Sequence, residues 1–239
     1  MHLERRGDVA WIVLDRPAAR NALSFAMWDR LGAIALELKA DSTARAAIIA
    51  GGPEAFAAGA DIAEFTHFAG AADGFAYEAR VEAVLRALED LDVPVIAALA
   101  GACTGGGVFL ASACDLRIAA PNLRAGVPIA RTLGNVTTSA NVRRLAALIG
   151  LGRVKEWFLT ARLLDAPAAL AARAQALAVE LSGFAPRTLR ATKELYRRSL
   201  RGADTEDDRD ILESCYASED FREGVAAFFE KRKANWHNA

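Results

Sequence analysis

An α/β fold with largely parallel strand pairing is predicted by three observations. As far as about Thr138, short apolar runs bounded by Gly, Pro and Asp alternate with stretches of helical periodicity. Glycine clusters sit where a strand hands over to a helix. Beyond Thr138 the strands fade out and only helical patterns continue. The 239 residues suffice for one large domain or two small ones, and the break divides them into an α/β core, 1–137, and a helical region, 138–239.

Residues 9–14 read as a strand that ends at Asp15, Arg16 and Pro17. Ser24 is a good N-cap for a helix to about Leu38, with Met27, Leu31, Ile34, Ala35 and Leu38 at helical spacing. A second strand, 46–50, stops at Gly51, Gly52 and Pro53. Asp61 begins a short helix, and a longer one spans 73–91 with Phe75, Ala79, Val81, Val84, Leu85 and Leu88 as its buried stripe. Then follow a buried strand at 95–99, a short apolar helix at 105–113 and a strand at 116–119. Further helices are expected over 141–149, 153–160, 186–200 and 218–231.

Composition excludes several classes of function. A net charge of −1 with no basic stripe gives no bulk attraction to nucleic acid or to an anionic membrane. The charged stretch 1–8 passes straight into an apolar run without the features of a signal peptide. The longest apolar stretch, about 93–102, contains Pro94 and is too short to span a bilayer. A cytoplasmic protein is expected. Cys103, Cys114 and Cys215 are widely spaced, as suits buried thiols in a reducing compartment. His2, His67 and His237 lack ligand spacing, so no metal is expected.

Two motifs carry chemistry. In the first, 55–62, Gly59 permits a positive φ, Ala58 and Ala60 allow close backbone approach, and Asp61 can cap the helix that follows. A tight turn into a helix also explains those residues without a ligand. In the second, Thr104 precedes Gly105, Gly106 and Gly107 at a helix start. Each glycine there costs about 1 kcal/mol relative to alanine. A ligand, or a second backbone packed close, would offset that cost. Helix starts offer unpaired N–H groups and partial positive charge, so two of them meeting would form a two-donor pocket for an oxyanion.

In this order, with Asp61 and Ile62 after the first motif and Cys114, Asp115, Leu116 and Arg117 after the second, the pair resembles the enoyl-CoA hydratase/isomerase (crotonase) superfamily. The stretches 16–24 and 221–232 extend the resemblance over nearly the whole chain. It implies a crotonase-like spiral of ββα units with a helical C-terminal region that builds trimers, hence a homotrimer or hexamer. It also implies an acyl-CoA thioester as substrate, with CoA as part of that substrate and no separate cofactor. The N–H groups of Ala60 and Gly106 line up with the two donors to the thioester oxygen. Arg16 and Arg20 correspond to basic side chains near the CoA phosphates, with Ala22, Ala58, Asp61 and Ile62 along the CoA. Leu212 falls where an apolar side chain packs near adenine, and Lys231 where a lysine approaches a phosphate. On charge alone, a solvated turn accounts equally well for 16–24.

Two departures stand out. The glutamates that hold water in the family's hydratases correspond to Phe109 and Ile129 here. Neither can move a proton, and such groups each contribute on the order of 10²–10⁴-fold in rate, so fast standard hydration is not expected. Glu64 and His67 share a helical face, followed by Asp73, Tyr77 and Glu78, but such polar residues are commonly only solvated. Phe109 and Ile129 are expected to line the acyl pocket, with Arg131 and Asn135 as its polar contacts, and Asp115 has the expected role of bonding a turn. The second departure is a splice near Ala171, either a deletion or an omitted loop, with the loop expected. Two functions remain open: an enzyme working through a stabilised oxyanion (hydration, double-bond shift, decarboxylation or thioester hydrolysis), and an acyl-CoA binder that no longer catalyses.

Overall fold

In chain order the elements are β1 (His2–Arg6), β2 (Val9–Val13), α1 (Phe25–Ala40), β3 (Ala46–Ala50), β4 (Ala55–Ala57), α2 (Ile62–Phe65), α3 (Ala71–Glu89), β5 (Val95–Leu99), β6 (Ala102–Thr104), α4 (Gly106–Ser112), β7 (Leu116–Ala119), β8 (Arg124–Gly126), α5 (Ile129–Thr132), α6 (Ser139–Thr160), β9 (Leu164–Asp165), α7 (Arg209–Tyr216) and α8 (Glu219–Glu230). The structure, a computed structural model, describes residues 1–7, 9–44, 46–91, 93–165 and 208–237, together with 184, 185, 187, 188, 191, 192, 194, 195 and 198. Its contacts form two units. The first comprises Met1–Asp61, Ala79–Gly126 and Leu163–Ala168, and the second Ile62–Glu78, Val127–Arg162 and Ala169–Ala239.

Both sheets belong to the first unit. One has the order β1-β2-β3-β5-β7 and the other β4-β6-β8-β9. Pairing is parallel except for β1 with β2 and β8 with β9. The pairs β3-β4, β5-β6 and β7-β8 each place one strand in either sheet and are followed by a helix. That is the repeated ββα unit implied above. In β2, β3 and β5 of the first sheet, alternate residues are buried, and Ile12 stands opposite Ile49, which stands opposite Ala97. This period-two burial fixes the register, because a one-residue slip would turn the whole set outward. β1 is a charged edge strand, and β8 and β9 are very short, so their patterns carry no strand signal.

α1 follows expectation: the Ser24 side chain accepts from the Met27 N–H, and Met27, Leu31, Ile34, Ala35 and Leu38 are buried with Trp28. α3 departs from it. Ala79 is exposed and Phe75 only half-buried, while Tyr77, Glu78 and Glu82 join Val81, Val84, Leu85 and Leu88 on the buried face. Patterning treats carboxylates as polar positions and so rotates the stripe. Here they are buried because the Tyr216 hydroxyl donates to Glu78 at 2.9 Å and Arg86 Nε to Glu82 at 2.7 Å.

In the second unit, Phe65 stacks on Phe68 at 4.7 Å and meets Tyr77 edge-on at 4.8 Å, and Tyr216 meets Phe221 edge-on at 5.0 Å. The two helices expected over 141–160 form α6, broken at Gly150 (φ 75°, ψ 148°). Ser218 caps α8 by accepting from the Phe221 N–H. The expected helix at 186–200, apart from scattered positions, and the junction around Leu170–Ala172 lie outside the described residues. No helix among the described residues is long and apolar enough to cross a membrane.

Candidate functional site

The first motif is held by backbone pairing. The Leu23 N–H donates to Gly59 O at 2.7 Å, and the Asp61 N–H donates to Leu23 O at 3.0 Å. This parallel bridge uses the groups on either side of Ala60 and turns the N–H of Ala60 the other way, where no acceptor among the described residues takes it. Gly59 has φ +103°, a conformation that a side chain would strain.

Side chains lock the same turn. Arg16 Nη1 donates to Asp61 Oδ2 at 2.5 Å and to Ala22 O at 3.2 Å. Asn21 Oδ1 accepts from the Arg16 N–H at 2.8 Å, while its Nδ2 donates to Ala55 O at 3.0 Å. Arg16, expected beside a phosphate, therefore engages Asp61, next to Ala60. Arg20 is exposed, and Ala22, Ala58 and Asp61 are half-buried.

The second motif starts α4. Val108 and Phe109 donate to Gly105 O at 2.9 and 3.2 Å, whereas Gly106 stands in the first turn, where an N–H has no intrahelical acceptor. A β-carbon at Gly107 would run into Ala57 O, so α4 packs backbone-first against β4. At Gly106 there is room. A β-carbon there would stand 3.4 Å from Trp28 Cζ2, 3.6 Å from Leu23 Cδ1 and 3.7 Å from the Ala60 nitrogen. Gly106 and the Ala60 nitrogen thus border one small space within the first unit.

The far end of α4 is clamped by Arg117, which donates to Ala111 O, Cys114 O and Asp115 O at 3.1, 2.6 and 2.9 Å. A cation at a helix C-terminus also opposes the helix dipole favourably. Asp115 Oδ2 accepts from the Val95 N–H at 2.7 Å, tying the end of α4 to β5. Cys103 and Cys114 flank α4. Burial pushes both thiols up to about 12, which keeps them neutral and poorly nucleophilic near pH 7.

Phe109 is buried in α4 in the first unit, and Ile129 is buried at the start of α5 in the second. The second unit also holds Ile62, Glu64, His67, Arg131, Asn135, Leu212 and Lys231. Ile62 and Glu64 are half-buried, whereas His67 and Arg131 are exposed. Asn135 is buried, with Nδ2 3.5 Å from the Tyr216 hydroxyl. Leu212 is buried in α7, and Lys231 is exposed at the left-handed C-cap of α8.

Patterning missed three features: the Arg117 clamp, the Glu78–Tyr216 bond, and Trp28 beside Gly106. Trp28 left a sequence signal, since it lies three residues from Leu31 on the apolar face of α1.

Comparison with known proteins agrees with this architecture. Residues 4–239 match the family model for enoyl-CoA hydratase/isomerase. The chain is 32% identical to a short-chain-enoyl-CoA hydratase of Clostridium acetobutylicum, over 97% of this chain and 95% of that protein. It is 33% identical to a crotonyl-CoA hydratase of Syntrophomonas wolfei, over 98% and 96%. Among solved structures, an enoyl-CoA hydratase/carnithine racemase from Magnetospirillum magneticum superposes with a TM-score of 0.67 at 31% identity, covering 99% of this chain and 95% of that one. The chain belongs to the enoyl-CoA hydratase/isomerase family.

Proposed function

We propose that this protein is an enzyme acting on acyl-CoA thioesters, holding the thioester oxygen with the N–H groups of Ala60 and Gly106. The observation that carries the reading is the space at Gly106, bordered by the Ala60 nitrogen and left open by the missing side chain. Chemistry beside a thioester carbonyl passes charge to its oxygen as an enolate forms. Donors fixed in advance stabilise that charge without reorganising at the moment of reaction. The Leu23–Ala60 bridge, the Arg16–Asp61 pair and the Arg117 clamp keep both donor segments in place.

Rapid water addition is not part of the proposal, because Phe109 and Ile129 stand where the family's glutamates would serve as base and acid. Those two apolar residues favour a second reading. A malonyl-type ester can lose CO₂ to leave the enolate directly, so the carbon–carbon bond breaks without a protein base and solvent supplies the later proton. An acyl-CoA binder without catalysis fits the same two residues. We further propose that Arg16, Arg20 and Lys231 meet CoA phosphates, that Ala22, Ala58, Asp61, Ile62 and Leu212 line the CoA, and that Phe109, Ile129, Arg131 and Asn135 form the acyl pocket. A homotrimer or hexamer is proposed as the working form, with the exposed Phe228 and Phe229 of α8 as apolar surface that association would cover.

Enoyl-, malonyl- and saturated acyl-CoA esters incubated with the protein in D₂O and read by mass spectrometry test the proposal. Water gain, CO₂ loss, hydrolysis or deuterium at Cα would identify the reaction. Binding with no turnover of any ester would replace the enzyme with the binder, and absence of binding would remove both.

A further inference from the structure

We propose that the indole N–H of Trp28 is a third donor to the thioester oxygen, a role that rests on the acyl-CoA reading above. Trp28 is fully buried, yet its Nε1 has no hydrogen-bond partner among the described residues. Buried indole N–H groups ordinarily find an acceptor, and one that does not calls for a specific explanation.

Its position supplies one. Cζ2 and Nε1 lie on the same edge of the indole, joined through a single ring carbon. Cζ2 is the atom 3.4 Å from where a Gly106 β-carbon would stand, and the Ala60 nitrogen is 3.7 Å from that same point. The Cζ2 corner of the edge that carries the N–H therefore borders the space that the Ala60 nitrogen also borders. The placement is also firm. The Trp28 N–H of the main chain donates to Ser24 O at 3.0 Å in the first turn of α1, and the preceding Leu23 is bridged to Ala60.

The chemistry selects the ligand atom. An indole nitrogen donates only and stays neutral, so it calls for an acceptor. A carbonyl oxygen gaining negative charge is an acceptor whose bond to such a donor strengthens as the enolate forms. Trp28 thus joins Ala60 and Gly106 as a group that touches the reacting oxygen.

Replacing Trp28 with β-(3-benzothienyl)alanine puts sulfur in place of N–H and keeps the ring size. Binding is measured for butyryl-CoA and for S-butyl-CoA, the thioether lacking the carbonyl. The expected result is an affinity for butyryl-CoA reduced about three- to tenfold, with S-butyl-CoA unaffected. In the parent protein labelled with [indole-¹⁵N]tryptophan, the Trp28 N–H resonance should move downfield with butyryl-CoA and not with S-butyl-CoA. Equal losses for both ligands, no loss, or the same resonance shift with both would overturn the assignment. If neither compound binds the parent protein, the acyl-CoA reading falls and the role of Trp28 falls with it.

Discussion

Gly106 and Gly107 are neighbours in sequence with opposite demands. A methyl at Gly106 meets its surroundings at ordinary van der Waals distances, the tightest being 3.4 Å, yet stands 3.7 Å from the Ala60 nitrogen. Gly106→Ala should therefore fold with stability within about 1 kcal/mol of the parent. It should lose thioester turnover by about a hundredfold or more, as when an oxyanion donor is removed. Gly107→Ala drives its methyl into Ala57 O and should lose roughly 1–3 kcal/mol through overpacking. Urea unfolding paired with acyl-CoA turnover separates the two cases. If Gly106→Ala unfolded as readily as Gly107→Ala, its glycine would be explained by packing alone. The glycine run was legible in the sequence because three helix-breaking residues at a helix start need an explanation. Which glycine faces β4 and which faces open space was not, since that depends on how α4 is rotated.

Among the elements, those with a clear local signal were readable: β2, β3 and β5 are short apolar runs, and α1 starts at a good cap. The burial of α3 was not, because Glu78 and Glu82 gain partners that no local pattern reveals. The C-terminal segment after α8 makes a testable element of its own. Glu223 accepts from Arg232 at 2.5 and 2.8 Å and from the Asn235 N–H at 2.7 Å, while the His237 N–H reaches Asp220 Oδ1 at 2.7 Å. The Arg232 guanidinium beside Glu223 holds its carboxyl down to about 2. Because the folded value is depressed, the anchoring is complete above the ordinary value of 4.5 and is lost as pH falls from there toward 2. Amide exchange at Asn235 and His237, taken relative to an unstructured peptide at the same pH, should accelerate through that window. Glu223→Gln should accelerate it at neutral pH. Unchanged protection in that variant would show that the tail is held by other contacts.

Over the whole molecule, three buried thiols give stability a defined pH dependence. Burial pushes Cys103, Cys114 and Cys215 up to about 12 from an ordinary value of 9.0. In that interval the unfolded chain ionises and the folded chain does not, so unfolding releases protons and stability falls as pH rises. Each thiol should cost roughly 1.4 kcal/mol per pH unit once well inside the window, and almost nothing at pH 8. Urea midpoints at pH 8 and 10, for the parent and for a variant with all three changed to alanine, measure the difference. A parent whose pH slope matches the variant's would remove the thiols as its cause. At this scale the ββα order was legible through a resemblance carried by short motifs, whereas the two contact units were not, because they interleave segments far apart in the chain.

Most direct for the central claim is isotope-edited infrared difference spectroscopy of butyryl-CoA labelled with ¹³C at its thioester carbonyl. If the N–H groups of Ala60 and Gly106 hold the oxygen, the carbonyl stretch falls to lower frequency on binding the parent protein. In Gly106→Ala, ligand that still binds should keep the frequency it has in water. A parent-bound thioester whose carbonyl absorbs as it does in water would contradict the two-donor site.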